Sequence, residues 1–238
     1  MPAWLPELAA SVFATIIAIT LHEAAHGYAA RALGDDTAAR AGRLSLNPIR
    51  HVDMVGTILL PGILLISQLL TIGRVEAMFG WAKPVPVNKW RLNNPRLGMM
   101  AVAAAGPGSN FVLAGLGAVL LGLAIPLGAG FGGDSAGGAS LLVDASGDPL
   151  WLATGLFYFI LVNLFLGLFN LLPIPPFDGS HIVGGLLPKQ LRAPWEKLQG
   201  IGMALIHALV AASWVFGTSW LGDLLIGPVT FVLGYYLA

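Results

Sequence analysis

The chain has 238 residues, of which 56% are hydrophobic and 10% charged, and its twelve basic and twelve acidic residues cancel. Soluble domains carry about 25% charged residues, so a mean hydropathy of +0.79 excludes an ordinary soluble protein, and zero net charge predicts no nucleic-acid partner. The absence of cysteine excludes disulfides and thiolate ligands, which leaves His, Asp and Glu for any metal.

The apolar runs predict an all-α polytopic membrane protein with five to six transmembrane helices, one of them broken. A span needs about 20 apolar residues, and five runs qualify: about 8–33, 97–125, 150–172, 198–217 and 220–237. A sixth, 57–73, is short and interrupted early by Pro61, so it either spans or is re-entrant, and we favour re-entrant. No polar stretch is long enough for a separate soluble domain, so residues 1–238 are expected to form one domain.

The basic residues orient these spans. All twelve fall in two blocks, within 31–96 and 189–197, whereas the 126–149 connection has none and carries three aspartates. Its glycine-rich stretch 128–138 reads as a flexible loop. Cytoplasmic loops collect Lys and Arg, so the first span should run inward and 57–73 should enter and leave on the cytoplasmic side. The first residues lack Lys and Arg, which argues against a cleavable signal peptide.

An H-E-x-x-H motif lies inside the first apolar run. His22 and His26 are four residues apart, so on a helix they lie on one face and can reach one zinc ion. Glu23 beside them can hold the attacking water. Three ionisable side chains within five residues are costly at bilayer depth without a metal, partners or a water pocket. This placement favours a catalytic motif over a chance one.

The fourth span ends in a proline-rich stretch that runs from Asn170 to Asp178 and Gly179. The prolines stop the helix where the span should leave the membrane, and freed backbone groups there must face protein or a water-filled cavity. Asp178 on this broken segment is a natural third ligand, and two histidines with one aspartate leave a fourth position open for water. Gly179 allows either a close or a left-handed backbone.

The stretch 76–96 is predicted not to be helical. Pro84 and Pro86 bias their preceding residues to extended geometry, and two tryptophans suit the membrane interface. It is either an interfacial loop or an open strand edge that can pair with an extended peptide.

On these motifs the chain resembles the site-2 protease family of intramembrane zinc metallopeptidases (peptidase family M50), in its compact bacterial branch without PDZ or CBS domains. The resemblance covers about residues 8–187 and rests on the histidine motif, the Asn170–Gly179 motif and linking sequences at 47–53, 82–88 and 106–110. It implies one zinc per chain held by His22, His26 and Asp178, with Glu23 as base. It also implies cleavage of transmembrane protein substrates in a bacterial inner membrane, with the site toward the cytoplasm.

Several other polar residues have two readings. Asn110 could bond neighbouring helices or, as the resemblance suggests, contact the substrate or the site. Asn163 and Asn170 lie seven residues apart on one helix face and could bond helices, and Asn170 has the better claim to the site. His181 could orient a ligand, although an interfacial histidine is the simpler reading. Three further residues have no predicted catalytic part: His51, His207 and Asp53, the last a candidate cap near Val55.

The alternative to a protease is a non-proteolytic membrane protein, either a metal carrier or a degenerate relative that binds partners. A carrier needs further intramembrane acids or histidines, and beyond the motif only His207 lies deep in a span. A degenerate relative should lack a ligand or the base, and all four residues are present.

Overall fold

The structure is a computed structural model, and it describes residues 4–71, 73, 80–132, 141–202, 204, 212 and 220–237. Helices dominate. Four long ones are α1 (Trp4–Ala32), α4 (Pro95–Ala124), α5 (Trp151–Asn170) and α8 (Trp220–Leu237), and shorter ones are α2 (Thr37–Arg40), α3 (Leu60–Thr71), α6 (Asp178–Leu186) and α7 (Lys189–Gly200). Two 3-10 turns cover Pro48–His51 and Lys89–Arg91, and a π-helical stretch covers Met54–Leu59.

Four described stretches are long and apolar enough to cross a membrane: Leu8–Ala32, Met54–Thr71, Pro95–Ala124 and Trp151–Asn170. The all-α polytopic architecture is therefore confirmed, and the chain is a membrane protein. The predicted span at 198–217 falls mostly outside the described residues, as do His207 and most of 72–79.

Helices α1, α4 and α5 pack against one another and form the body of the protein. One apolar cluster joins α4, α5, α8 and a strand, with Ile160 and Leu164 fully buried at its centre. A second, smaller cluster joins Ala30, Leu92 and Val102 where the end of α1 meets the start of α4. The two clusters lie toward opposite ends of α4, so the helix is held along its length.

The segment predicted at 57–73 begins earlier, at Met54. Asp53 caps it, because its Oδ1 accepts hydrogen bonds from the N–H groups of Val55 and Gly56, which confirms the predicted cap. The π-helical stretch and α3 together make 18 residues, of which only 6% are buried among the described residues. The segment is thus long enough to span, and most of its surface faces away from the described protein.

The glycine-rich connection contains a structure that was not predicted. Gly130–Gly132 (β1), within the stretch 128–138 that was predicted to be a flexible loop, pairs antiparallel with Leu141–Val143 (β2), which lies just beyond it. The tie to the helices explains the difference: Leu142 is buried in the large apolar cluster, and its N–H donates to the Thr154 hydroxyl on α5. Burial of one leucine and one cross-element hydrogen bond anchor a strand that local composition does not indicate.

The predicted break after α5 is present, although Asp178 lies elsewhere than expected. Helix α5 ends at Asn170, and residues 171–177 carry the prolines without helix. Phe177 is extended (φ −71°, ψ 157°) and α6 begins at Asp178, so Asp178 opens a new helix instead of lying on the broken segment. Helix resumes there because no proline follows until Pro188.

Candidate metal centre

His22 and His26 lie one helical turn apart on α1, as their spacing predicts, and both are buried. Asp178 reaches them from the first turn of α6, and these three residues form the only group of potential metal ligands found among the described residues. The Nε2 atoms of the two histidines are 3.0 Å apart, and Asp178 Oδ2 lies 3.2 Å and 3.3 Å from them. Ligand atoms about 2.05 Å from a tetrahedral zinc stand roughly 3.3 Å apart, so the three distances match such a site.

The other ring nitrogen of each histidine, Nδ1, already has a hydrogen-bond partner. His26 Nδ1 lies 2.7 Å from the carbonyl oxygen of Val102, and His22 Nδ1 lies 2.6 Å from Oδ1 of Asn110. Both partners are on α4, and both are oxygens that accept, so the Nδ1 atoms carry the protons. Each Nε2 therefore presents a lone pair toward Asp178, and the short contacts between the three atoms are not hydrogen bonds.

This arrangement fits a cation. Asp178 Oδ2 is buried and accepts no hydrogen bond from any described residue, and it faces two nitrogen lone pairs. Three acceptors without a proton between them repel one another, and a divalent metal ion removes that repulsion. The donor set of two imidazoles and one carboxylate is that of catalytic zinc sites.

A glycine on α4 makes the room for the two rings. A Cβ built on Gly106 would lie 2.5 Å from Cε1 and Nε2 of His26 and 2.6 Å from Cε1 of His22. Any side chain at this position would displace the rings from their present places. Gly106 is the first residue of the Gly-Pro-Gly-Ser-Asn stretch on which the family resemblance partly rests. The close approach of the two rings explains why this position holds a glycine.

Gly179 serves a different close approach. Its φ is not positive, and a Cβ there would collide with the backbone carbonyl of Leu171 and crowd that of Leu172. Of the two uses predicted for this glycine, close approach is therefore the one that the structure has. It lets the first turn of α6 pack directly on the end of α5, which places Asp178 beside the histidines.

Glu23 is half-buried and points to a different neighbour. Its Oε2 accepts a hydrogen bond of 2.8 Å from the backbone N–H of Val85. Val85 belongs to an extended segment, residues 80–88, which has no helix, as predicted for 76–96. The prediction is wrong for the last part of that stretch, because a 3-10 turn covers Lys89–Arg91 and α4 begins at Pro95. The carboxylate is thus oriented by main chain, whereas the two imidazoles are oriented from a neighbouring helix.

The extended segment is anchored at several points. The Trp81 N–H donates to the Gly56 carbonyl, and the Lys83 N–H donates to the carbonyl of His51. The Asn88 N–H donates to Oδ2 of Asp35, a residue that is fully buried just after α1. His51 therefore has a structural part through its backbone, and Asp35 is a residue that the sequence analysis did not single out.

Asp35 also accepts from its own loop. The N–H and the hydroxyl of Thr37 both donate to its Oδ1. Burial alone would raise the pKa of this carboxyl, but these bonds, the one from Asn88 and the charge of Arg91 outweigh it and hold the pKa below its ordinary value. These hydrogen bonds from Thr37 and Asn88 to Asp35 are called the Asp35 clamp below. The signal for it in the sequence was a Gly-Asp pair just after a long helix.

The remaining predicted site residues are placed as follows. Asn110 contacts His22, so it lies at the site and also joins α4 to its neighbours. The side-chain amide of Asn170 donates to the Leu166 carbonyl on its own helix. His181 is half-buried on α6, three residues beyond Asp178, and is not one of the three clustered ligand atoms.

Comparison with known proteins identifies the family of the chain. The model of peptidase family M50 matches residues 10–212. A curated Bacillus subtilis (strain 168) protein named "Putative zinc metalloprotease YwhC" is 40% identical over 204 residues, which are 83% of this chain and 78% of that protein. No solved structure matches the chain. The chain therefore belongs to peptidase family M50, as its resemblance to the site-2 protease family predicted, and it is a zinc metalloprotease of the membrane.

Proposed function

We propose that this protein is an intramembrane zinc endopeptidase, which hydrolyses peptide bonds in or near the transmembrane segments of other membrane proteins. One zinc per chain is held by His22, His26 and Asp178, and Glu23 is the general base. The observation that carries the proposal is the meeting of three unprotonated ligand atoms at 3.0–3.3 Å, two of them inside a helix long enough to span a membrane and the third on the short helix α6.

The depth of the site supports action within the bilayer. His26 and His22 lie six and ten residues before the end of α1 at Ala32. At 1.5 Å per residue they are about 9 Å and 15 Å inside that end along the helix axis. A hydrocarbon core is about 30 Å thick, so a site at this depth reaches bonds that a water-soluble protease cannot.

The charge distribution supports a cytoplasmic position for the nearer end of the site. Basic residues from separate stretches meet at that end: Arg91 pairs with Asp36, Arg43 Nη2 donates to the Lys83 carbonyl, and Lys89 pairs with Glu196. The hairpin at the opposite end of α4 and α5 has acidic Asp144 and Asp148 and no described basic residue. By the positive-inside tendency, the basic end faces the cytoplasm of a bacterial inner membrane.

The chemistry divides between the metal and Glu23. Bound zinc would supply Lewis-acid activation of water and polarisation of the scissile carbonyl. Glu23 takes the proton of the attacking water on a carboxylate oxygen and delivers it to the leaving nitrogen. The Val85 N–H holds Oε2, which leaves Oε1 as the oxygen available for this transfer.

The extended segment suits a substrate strand. The N–H groups of Trp81, Lys83 and Val85 bond inward, so alternate residues face the other edge. Two of those, Pro84 and Pro86, have no N–H, and no described backbone group donates to their carbonyls. We therefore include in the proposal that an unwound substrate pairs with this edge through its own N–H groups, beside Glu23.

The test is a paired measurement on the full chain purified in detergent. Zinc content and cleavage of a panel of transmembrane peptides are measured for the wild type and for Glu23→Gln, which keeps the size of the side chain and all three ligands. We expect about one zinc per chain in both proteins and a loss of at least 10³-fold in cleavage rate in the variant, because proton transfer is lost while binding is kept.

Each other outcome has a meaning. Equal residual cleavage in both proteins removes Glu23 from the mechanism and indicates a contaminating protease. Zinc without cleavage of any peptide favours the non-proteolytic alternative. No zinc in the wild type overturns the assignment of His22, His26 and Asp178 as ligands.

A further inference from the structure

Asn163 is a fully buried polar residue on α5 that lies outside the three-residue cluster. Its side-chain oxygen accepts a 2.8 Å hydrogen bond from Nδ2 of Asn110, and its own Nδ2 donates to the Phe159 carbonyl at 2.8 Å. Asn110, also fully buried, is the partner of His22 Nδ1. A continuous chain of hydrogen bonds therefore runs from α5 through α4 to a proposed zinc ligand on α1.

The Phe159 end of this series of hydrogen bonds fixes which group donates and which accepts at every step. The Phe159 carbonyl can only accept, so the nitrogen of the Asn163 amide must face it and the oxygen must face Asn110. That oxygen in turn requires the nitrogen of Asn110, which leaves Oδ1 of Asn110 toward His22. An oxygen at that position requires a proton on Nδ1 of His22. The lone pair of Nε2 then faces Asp178.

The two histidines differ in what keeps the proton on Nδ1. His26 Nδ1 faces a backbone carbonyl, which has one polarity and cannot be inverted. His22 Nδ1 faces a side-chain amide, which offers a donor or an acceptor depending on a 180° rotation. Nothing in Asn110 itself selects the correct rotamer, so the selection falls to Asn163.

We propose that Asn163 is a positioning residue for the zinc site: through Asn110 it keeps the proton of His22 on Nδ1 and the lone pair of Nε2 toward the metal. The inference rests on the proposed zinc site. A residue that only joins α4 to α5 would affect the stability of the protein and not its affinity for zinc.

Removal of the Asn163 amide should therefore weaken zinc binding. In Asn163→Leu the Asn110 amide loses its acceptor, and its inverted rotamer, which favours a proton on His22 Nε2, becomes accessible. Partners of metal-bound histidines are worth 10–100-fold in metal affinity, and we expect about tenfold here because the effect passes through a second residue. Asn163→Asp should retain affinity within about threefold, since its carboxyl offers an acceptor oxygen to Asn110 in either protonation state.

The experiment measures the zinc dissociation constant of the full chain in detergent by competition with a chelator of known affinity. The variants are Asn163→Leu, Asn163→Asp, Asn110→Leu and the double variant of the two leucine changes, with Asn163→Ala as a second removal if leucine does not fit. The control is Thr154→Val, which deletes the hydroxyl of another buried residue on α5 whose partner, the Leu142 N–H, belongs to the hairpin. Thermal unfolding of the metal-free proteins reports on stability separately.

The expected results are a tenfold loss in Asn163→Leu, no further loss when it is added to Asn110→Leu, and no change in Thr154→Val. Non-additivity of this kind identifies residues that act in series. Wild-type affinity in both removal variants, or full additivity in the double variant, overturns the role of Asn163. An absence of zinc from the wild type would instead overturn the proposed function, so the two failures are distinguishable.

Discussion

The two proposed parts of this site, the metal ligands and the base Glu23, are held in place by different kinds of structure. On the metal side, His22 and His26 are buried between packed helices, and one side chain and one backbone carbonyl of α4 hold their rings. On the base side, Glu23 is half-buried and is held by one backbone N–H of a segment without helix or ladder of its own. The metal side should therefore fail by losing zinc, whereas the base side should fail by losing rate with zinc retained.

The largest expected effect is on the metal side, at Gly106. Gly106→Ala places a methyl group 2.5 Å from the His26 ring, so the rings must rotate or α4 must move away from α1. Zinc content after gel filtration should fall to background, and peptide cleavage should fall with it. The measurement is elemental analysis together with the cleavage assay.

Gly108→Ala is the matched control, because a Cβ there meets nothing within 4 Å. A glycine in a helix interior costs about 0.5–1 kcal/mol relative to alanine, so this variant should bind zinc normally and be equally or more stable. Full zinc and full cleavage in Gly106→Ala would show that α1 and α4 are not rigidly apposed at the site.

The base side is broken by a backbone change. Val85→Pro removes the N–H that donates to Glu23, at a position that the following proline, Pro86, already biases to extended geometry. Zinc content should be unchanged, and the cleavage rate should fall about tenfold or more, as expected when a charged group loses a hydrogen bond. The measurement is kcat and KM on one peptide substrate, with zinc content in parallel.

Val85→Ala keeps the N–H while removing most of the side chain, so it separates the hydrogen bond from packing. Its rate should be closer to that of the wild type than the rate of Val85→Pro. A higher cleavage rate in Val85→Pro than in the wild type would contradict this expectation. It would indicate that the hydrogen bond from Val85 hinders proton transfer by Glu23.

The smallest effect is expected at the Asp35 clamp, which anchors the extended segment through the Asn88 N–H. The pKa of Asp35 is below its ordinary value of 3.8, so its contribution to stability is present above about pH 4 and is lost as the pH falls through the lowered folded-state pKa. Asp35→Asn should lower the apparent Tm at neutral pH by about 3 °C, the effect of one lost hydrogen bond in a chain of this size. The difference from the wild type should shrink below pH 4.

Asp36→Asn is the control for this measurement. The side chain of Asp36 is 42% exposed and pairs with Arg40 and Arg91 at the surface, where ion pairs are screened by water. It should leave the apparent Tm unchanged. A Tm difference for Asp35→Asn that stays constant down to pH 3 would exclude ionisation of Asp35 as its cause.

Much of this protein follows from local patterns in its sequence. The apolar runs at 8–33, 97–125 and 150–172 match helices α1, α4 and α5 within a few residues at most ends, because length and hydropathy alone define a span. The same holds for the cap at Asp53 and the shared helix face of His22 and His26, which depend only on neighbours within one turn.

What the sequence could not determine is which distant side chains meet. The bond between His22 and Asn110 joins residues 88 apart in the chain, and that between Asn110 and Asn163 joins residues 53 apart. No periodicity reports such contacts, because they depend on how helices cross. Sequence therefore determined the spans and the identity of the ligand candidates, whereas tertiary packing decided the orientation of the rings, the room made by Gly106 and the hold of the extended segment on Glu23.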